Sequence, residues 1–451
     1  MSVQPARRVA YQVLRAVRDD DAYANLLLPS LIADARLSTA DAAFATELAY
    51  GTLRMRGYYD RVLSLIVDRD LARVDPEVLD ALRLGAHQLL AMRVAPHAAV
   101  GESVALVASA GKGSAKGFAN GVLRTLSRTP ADEWRTRALE GLEGTSRLAV
   151  EHAHPEWVVP ALRDALAAED RDGELEELLR ADNVAPAVSL VALPGLAAVS
   201  DVGEPGRVSP VGVRSGGGDP AANPVVASGR ARVQDEGSQL AALALSRARP
   251  ITPGERWLDL CAGPGGKAAL LGAEAAVAGA TLLANELIPA RARLVRNAVA
   301  VLDPAPQVVE GDGTRFAVAA PAEFDRILLD APCTGLGALR RRPEARWRKQ
   351  ESDVEVLTKV QAALLDAAVA ALKPGGILAY VTCSPHLAET REIVDAALAR
   401  HPELAPMDTP GVVQAIATRD LELPAGTHVQ LWPHRHGTDA MFIALLTRVE
   451  S

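Results

Sequence analysis

From about residue 230 onward the chain alternates between short apolar runs and helical patterns, and this alternation limits the fold more than any other feature. The apolar runs have the length of buried strands and lie at 256–260, 281–285, 307–309, 326–329 and 376–381. Helical periodicity separates them, at 267–276, 289–302 and 354–372. Such strand–helix–strand units make right-handed crossovers and cover both faces of a mostly parallel sheet with helices. The sequence therefore predicts an α/β domain here.

Two other regions precede this domain. In the first ~130 residues apolar side chains recur at helical spacing, and Asp75-Pro76-Glu77 is a helix start with an N-cap and a proline at the first helical position. The next region mixes a helical stretch, short apolar runs and a loop rich in Gly, Pro and Ser at 206–224. We predict an all-α domain over 1–135, a small α+β linking subdomain over 150–228, and the α/β domain over 229–451.

Composition bounds the class of protein. A chain of 451 residues with 49% hydrophobic and 23% charged residues is typical of a globular protein of several domains. The N-terminus has no apolar signal region, and no uncharged apolar run reaches the ~18 residues needed to span a bilayer. We therefore expect a cytoplasmic protein with no membrane partner. The three cysteines are too scattered for a disulfide framework or a zinc site, so we expect no metal.

Charge is distributed unevenly along the chain. The net charge of −8 argues mildly against a nucleic-acid partner, because phosphate binding favours a basic surface. However, residues 340–349 carry six basic side chains and Trp347 within ten positions. A basic cluster is often only a solvated loop. Because this one begins seven residues after Cys333, we interpret it as a segment that contacts RNA.

Four successive predicted strands are followed by an acidic residue. These residues are Asp259, Glu286, Asp312 and Asp330. A single acid after a strand is usually a helix cap or a turn residue. In open α/β sheets, however, ligands bind outside the carboxyl ends of the strands, so four such acids predict one ligand crevice. An acid at position 286 can accept hydrogen bonds from the two ribose hydroxyls of a nucleoside-bearing cofactor.

The first of these strands runs into a glycine-rich turn, Cys261-Ala262-Gly263-Pro264-Gly265-Gly266-Lys267, and then into a helix. Glycines let the backbone approach a ligand closely, and the helix N-terminus can receive polar groups. The turn is neither a P-loop nor a GxGxxG fingerprint, because Ala268 stands where either motif requires another residue. A dinucleotide and S-adenosylmethionine both fit an acid after the second strand, and the glycine pattern favours S-adenosylmethionine.

Cys333 and Cys383 follow two of the predicted strands at the same edge of the sheet. A buried cysteine is more often an inert small side chain than a nucleophile. A thiolate at this edge could nevertheless add to C6 of a cytosine and make C5 nucleophilic towards a methyl sulfonium, which is covalent catalysis. A base must then remove the C5 proton and the thiolate must leave, so two cysteines suit addition and release.

The motifs resemble those of the RNA cytosine-C5 methyltransferases of the NOL/NOP2/Sun or Fmu group. The residues that carry the resemblance are Asp259–Lys267, Asp330-Ala331-Pro332-Cys333-Thr334-Gly335-Leu336-Gly337, Arg340–Glu344, Thr382-Cys383-Ser384 and the lead-in Val233–Gln239. The helical N-terminus, from Pro5 through Arg124, resembles a NusB-type RNA-binding domain. This pairing is similar to bacterial methyltransferases of small-subunit ribosomal RNA. The chain departs from relatives at Leu190–Leu193, where an Arg and an Asn are usual.

The resemblance implies a Rossmann-like fold, S-adenosylmethionine as cofactor, and 5-methylcytosine formation in 16S ribosomal RNA. It makes Cys383 the nucleophile and Cys333 the residue that assists release of the product. It implies cofactor contacts from the 261–267 turn, with Glu286 on the ribose and Asp312 at the adenine. Asp330 would lie near both the methionine moiety and the target base, as a catalytic and a cofactor-binding residue.

Three alternatives stay open at this point. The same chemistry could act on transfer RNA, since base choice depends on RNA shape. The chain could instead be a non-catalytic factor in ribosome assembly or antitermination, although a catalytically dead protein has no reason to keep both cysteines. A nucleotide-dependent oxidoreductase is disfavoured by the missing GxGxxG.

Overall fold

The computed structural model describes residues 3–316 and 321–449, and the chain divides into two compact units. The first unit holds the chain up to Pro160 together with Leu179–Ala185 and Leu339–Lys349, and the second unit holds the rest. Residues 1 and 451, the outer limits of the predicted domains, lie outside the described part. Within the described part, no helix has both the length and the apolar character needed to cross a membrane.

The first unit is helical, as its periodicity predicts. Its helices are α1 (Pro5–Asp19), α2 (Ala24–Asp34), α3 (Thr39–Arg54), α4 (Arg56–Ser64), α5 (Pro76–Leu90), α6 (Pro96–Ser109), α7 (Lys116–Arg128), α8 (Ala131–Leu139) and α9 (Gly144–Glu151). Helix α5 begins where the sequence indicates, because the Asp75 side chain accepts a hydrogen bond from the Glu77 N–H at 3.3 Å. One apolar cluster joins these helices, with Val13, Leu48 and Leu82 fully buried.

A small antiparallel sheet forms the first part of the second unit's β structure. The elements that follow α9 are α10 (Val158–Ala167), α11 (Leu175–Ala181), β1 (Ser189–Ala192), α12 (Val199–Val202), β2 (Glu204–Pro205), β3 (Gly212–Arg214), α13 (Pro224–Ala227) and β4 (Ala231–Val233). The strand order is β2-β3-β1-β4. This region has the predicted α+β character, but its strand β4 lies beyond residue 228, and the division of the chain into three domains stays a prediction.

A second sheet dominates this unit. Its strands are β5 (Arg256–Asp259), β6 (Thr281–Glu286), β7 (Gln307–Glu310), β8 (Phe324–Asp330), β9 (Leu372–Thr382), β10 (Leu404–Pro406), β11 (His428–Gln430) and β12 (Phe442–Arg448). They lie in the order β10-β12-β9-β8-β5-β6-β7, with β11 also paired to β12. The five strands from β9 to β7 are parallel, as predicted, whereas β12 adds to β9 antiparallel and was not predicted.

Helices cover both faces of this sheet. They are α14 (Glu236–Arg247), α15 (Gly266–Ala278), α16 (Pro289–Val299), α18 (Ser352–Ala371), α19 (Arg391–Arg400), α20 (Thr409–Ile416) and α21 (Pro433–His436), while α17 (Ala345–Arg348) belongs to the first unit. Successive residues of β5 point to opposite faces, so that Trp257 joins one apolar cluster and Leu258 joins the other. Burial on both faces explains why the strands are apolar runs rather than alternating patterns.

Candidate active site

The carboxyl ends of the parallel strands bring the predicted residues to one edge of the sheet. Asp259, Glu286 and Asp330 are the last residues of β5, β6 and β8. Cys383 follows β9 directly, and Asp312 follows β7 by two residues. Because the strand order is β9-β8-β5-β6-β7, the side chains lie in the lateral order Cys383, Asp330, Asp259, Glu286 and Asp312. The ligand site predicted from the strand-end acids therefore lies at the edge of the sheet where ligands bind in such folds.

Glu286 fixes the glycine-rich turn. Its Oε2 accepts a hydrogen bond from the Gly263 N–H at 2.9 Å, and its Oε1 accepts one from the Ile288 N–H at 3.0 Å. A Cβ at position 263 would lie 2.3 Å from Glu286 Oε2, so only glycine allows this approach. Gly265 has a φ of 108°, in the left-handed region that favours glycine, and it directly precedes α15. The turn is therefore shaped by long-range contacts as well as by its own sequence.

Lys267, at the start of α15, forms an ion pair with the strand-end acid of β8. Its Nζ lies 2.8 Å from Asp330 Oδ2, and its side chain is only 11% exposed. Burial would lower the pKa of Lys267, but the Asp330 carboxylate outweighs burial, so the pKa lies above its ordinary value. Cys383 also interacts electrostatically with this ammonium group. Lys267 therefore carries a fixed positive charge between an acid and a cysteine of the site.

Asp259 is fully buried beside this ion pair, and neither of its side-chain oxygens makes a hydrogen bond to another described residue. Burial, and then the negative charge of Asp330, raise the pKa of Asp259 to about 8. The carboxyl group is accordingly protonated over much of the neutral range. The sequence marked Asp259 only as a strand-end acid and gave it no role, because its burial depends on the neighbouring strands.

The two predicted catalytic cysteines meet although fifty residues separate them. Cys333 Sγ and Cys383 Sγ are 3.6 Å apart, and both residues are partly buried. The Cys383 carbonyl accepts a hydrogen bond from the Gly337 N–H at 2.8 Å, which ties the two cysteine loops together. The hydrogen bond with Cys383, followed by burial, raises the pKa of Cys333 well above its usual range. Cys333 therefore remains a thiol at neutral pH.

The other predicted cofactor contacts occupy different environments. Cys261 is in the glycine-rich turn, where burial and then the neighbouring carboxylates raise the pKa of its thiol, so it is not a candidate nucleophile. Ala262 is buried, while Pro264 and Asp312 are exposed. Asp312 accepts hydrogen bonds from the N–H and the hydroxyl of Thr314, which lower its pKa. The proposed adenine contact of Asp312 stays a prediction.

These residues fit the cofactor that the sequence favours. The turn offers backbone close to Glu286, and each oxygen of that carboxylate, having accepted one backbone hydrogen bond, retains a lone pair for a ribose hydroxyl. The Asp330 carboxylate lies at the same edge of the sheet and is partly exposed. A nucleoside-bearing ligand with a sulfonium or amino group suits an edge that carries these acids.

The basic segment 340–349 differs from its prediction. Arg346 is fully buried and donates hydrogen bonds to the Ala153 carbonyl and to Asn183 Oδ1, both at 2.8 Å. Trp347 donates from its indole nitrogen to the Leu53 carbonyl at 2.8 Å. The interpretation that the whole segment meets RNA is wrong for Arg346, since its donors are used by the chain's own carbonyls. Arg342 is the exposed arginine of the segment.

Sequence reasoning also missed two buried polar side chains beside Cys333. Gln361 lies on α18 and Glu389 lies six residues after Cys383, and both are fully buried. Glu389 belongs to the family's pattern, in which an Asn is expected where this chain has Thr390, but that pattern gave Glu389 no role. Only the fold shows what Glu389 and Gln361 contact.

Comparisons with known proteins agree with this geometry. The profile of the 16S rRNA methyltransferase RsmB/F family matches residues 249–447, and the NusB family profile matches residues 4–128. A candidate methyltransferase of Mycobacterium tuberculosis strain H37Rv is 47% identical over 460 residues, which cover 99% of this chain and 97% of the relative. Ribosomal RNA small subunit methyltransferase B of Pseudomonas putida is 32% identical over 457 residues, or 98% of each chain.

The solved structure of PH0851 matches with a TM-score of 0.80 over 99% of both chains at 22% identity, which shows a shared fold. Fold and site thus define a Rossmann-like methyltransferase that carries a NusB-type helical domain. The chain belongs to the RsmB/F family of 16S rRNA methyltransferases. The resemblance found in the motifs is confirmed.

Proposed function

We propose that this protein forms 5-methylcytosine in small-subunit ribosomal RNA by way of a covalent link between Cys383 and the target base. The observation that carries the proposal is the pair of thiols 3.6 Å apart at the ends of β8 and β9, beside the Lys267–Asp330 ion pair. The relative from Pseudomonas putida supports the substrate, since its name states that it methylates small-subunit ribosomal RNA.

Cys383 is the nucleophile in this proposal. Its sulfur adds to C6 of the cytosine, the C5=C6 double bond opens, and C5 becomes an enamine carbon. The positive charge of Lys267 favours the thiolate from which this addition starts. Cys333 suits the other role, because its raised pKa keeps it protonated in the free protein.

The 261–267 turn and Glu286 would hold S-adenosylmethionine, whose S–CH₃ bond would break as C5 takes the methyl group and S-adenosylhomocysteine is left. The C5 proton then passes to a base, its electron pair restores the C5=C6 bond, and the C6–S bond breaks to return the Cys383 thiolate. Cys333 assists this release from its position 3.6 Å from the departing sulfur. Asp330 holds Lys267 in place throughout.

A denaturing gel tests the proposal. Protein is incubated with 16S ribosomal RNA and S-adenosylmethionine, using the wild type, Cys333→Ala, Cys383→Ala and the double variant. We expect a slow-migrating RNA adduct with Cys333→Ala and none when Cys383 is absent. Mass spectrometry of the digested RNA should find 5-methylcytidine after reaction with the wild type and none after reaction with Cys383→Ala.

Two outcomes would contradict the proposal. Turnover by Cys383→Ala would show that Cys383 is not the nucleophile. Methylation at a position other than cytosine C5 would contradict the proposed reaction. A parallel reaction with transfer RNA distinguishes the two substrates. If only transfer RNA is methylated efficiently, the substrate is transfer RNA and not ribosomal RNA.

A further inference from the structure

A buried carboxylate holds the loop that carries Cys333. Glu389 ends a short helical turn, Leu387–Glu389, and its side chain has no exposed surface. Its Oε1 accepts a hydrogen bond from the Thr334 N–H at 2.7 Å, and its Oε2 accepts one from the Thr334 hydroxyl at 2.5 Å. Both oxygens therefore bind the residue that directly follows Cys333.

A second buried side chain holds the residue on the other side of Cys333. Gln361 Nε2 donates to the Pro332 carbonyl at 2.9 Å and to Glu389 Oε1 at 3.2 Å. Pro332 and Thr334 are thus fixed by one connected network, with Cys333 between them. Networks of this kind restrict geometry strongly, because each member loses a buried partner if the loop moves.

The same network reaches the loop of Cys383. The hydroxyls of Thr334 and Ser384 lie 3.1 Å apart, and the Tyr380 hydroxyl donates to the Glu389 carbonyl at 2.8 Å. Tyr380 belongs to β9, which ends immediately before Cys383. Glu389 is therefore tied to the Cys333 loop by its side chain and to β9, which leads into Cys383, by its backbone carbonyl.

We propose that Glu389 is a positioning residue for product release: it keeps the Cys333 thiol beside Cys383 while the RNA link breaks. This inference rests on the proposed function. Glu389 touches neither sulfur by hydrogen bond and acts through the backbone and hydroxyl of Thr334. Its negative charge also contributes to the raised pKa of Cys333, after the hydrogen bond with Cys383 and burial.

Glu389→Gln is the most direct test, because it preserves the size of the side chain. In Glu389→Gln the amide oxygen can still accept from the Thr334 N–H and from Gln361, but the amide NH₂ group cannot accept from the Thr334 hydroxyl. The variant therefore loses or reverses one hydrogen bond to the Cys333 loop and loses the negative charge. We expect methyl transfer in a single turnover to stay within threefold of the wild type. Multiple turnover should slow at least tenfold, and the covalent adduct should accumulate as in Cys333→Ala.

The double variant Glu389→Gln/Cys333→Ala separates positioning from a general structural role. If Glu389 acts through Cys333, it adds no further effect on the release rate once Cys333 is gone, so the two changes are not additive. Glu274→Gln is the matched control, because Glu274 is another nearly buried carboxylate of this unit and accepts hydrogen bonds from Ser246 and Arg247. Glu274→Gln should accumulate no covalent RNA adduct.

Thr334→Val is a second variant in case Glu389→Gln fails to fold. It removes one donor to Glu389 and retains the backbone hydrogen bond, so a smaller accumulation of adduct is expected. Release at the wild-type rate by both folded variants would overturn the inference and leave the proposed function intact. So would a further tenfold loss from Glu389→Gln in the Cys333→Ala background. Absence of adduct in Cys333→Ala itself would overturn the proposed function and the inference together.

Discussion

Two buried cations, one in each unit, show different uses of the same kind of charge. Lys267 pairs with the Asp330 carboxylate at 2.8 Å, and its pKa is raised. Arg346 donates mainly to neutral carbonyl oxygens, and burial lowers its pKa to about 10. Lys267 keeps a charge directed at the residues of the site, whereas Arg346 uses its donors to hold chain segments together. A buried cation thus indicates function when its partners are groups that take part in the chemistry.

The largest expected effect comes from removing the cation at the site. Lys267→Met should lower methylation by about 10³-fold, because it removes a preorganised charge from a nearly buried site. Stability should fall as well, because Asp330 loses its partner in the nearly buried ion pair, so the melting curve must show that the variant is folded at the assay temperature. Incorporation of labelled methyl groups and a melting curve measure the two quantities. Lys267→Arg, which retains the charge, is the control. Activity of Lys267→Met within threefold of the wild type would show that the Lys267 charge has no role in the reaction.

Removing the other cation should act on stability. Arg346→Met leaves the Ala153 and Asp182 carbonyls and the Asn183 side chain without their donor, which should destabilise the first unit by about 3 kcal/mol. Urea unfolding measures the change. The control is Arg342→Met in the same segment, which removes an exposed charge that lies over the Tyr23 ring and should cost about 1 kcal/mol or less. Equal stability of the two variants would show that the hydrogen bonds of Arg346 do not stabilise the first unit.

A dependence of stability on pH is the smallest of these effects when it is counted per pH unit. Since the pKa of Asp259 is raised to about 8 in the folded chain, its contribution to stability is fully present below pH ~4. This contribution decreases as the pH rises towards 8, by at most about 1.4 kcal/mol per pH unit. Asp259→Asn should remove this dependence, so the variant gains stability relative to the wild type between pH 5 and pH 8. Parallel melting temperatures across this range would contradict the assignment.

The loops of the site show which features of the structure can be predicted from local sequence patterns. The glycine turn at 261–267 and the acids after β5, β6 and β8 could be located from the sequence, because strand length, apolar runs and turn residues are local properties. The strand β12 was missed although Phe442–Arg448 is a short apolar run, and its antiparallel pairing with β9 is not a local property of the sequence. No role for Glu389 or Gln361 could be predicted, because a polar residue becomes a buried partner only when three segments pack together.

The sequence by itself determined the class of fold, the edge of the sheet at which the site lies and the family to which the chain belongs. Tertiary structure alone decided that Cys333 and Cys383 stand 3.6 Å apart and that Arg346 points into its own unit rather than to a ligand. The physical reason is the distance along the sequence over which each effect acts. Hydrophobic periodicity and turn chemistry act over a few residues, whereas hydrogen-bond partners and burial depend on segments that only the folded chain brings together.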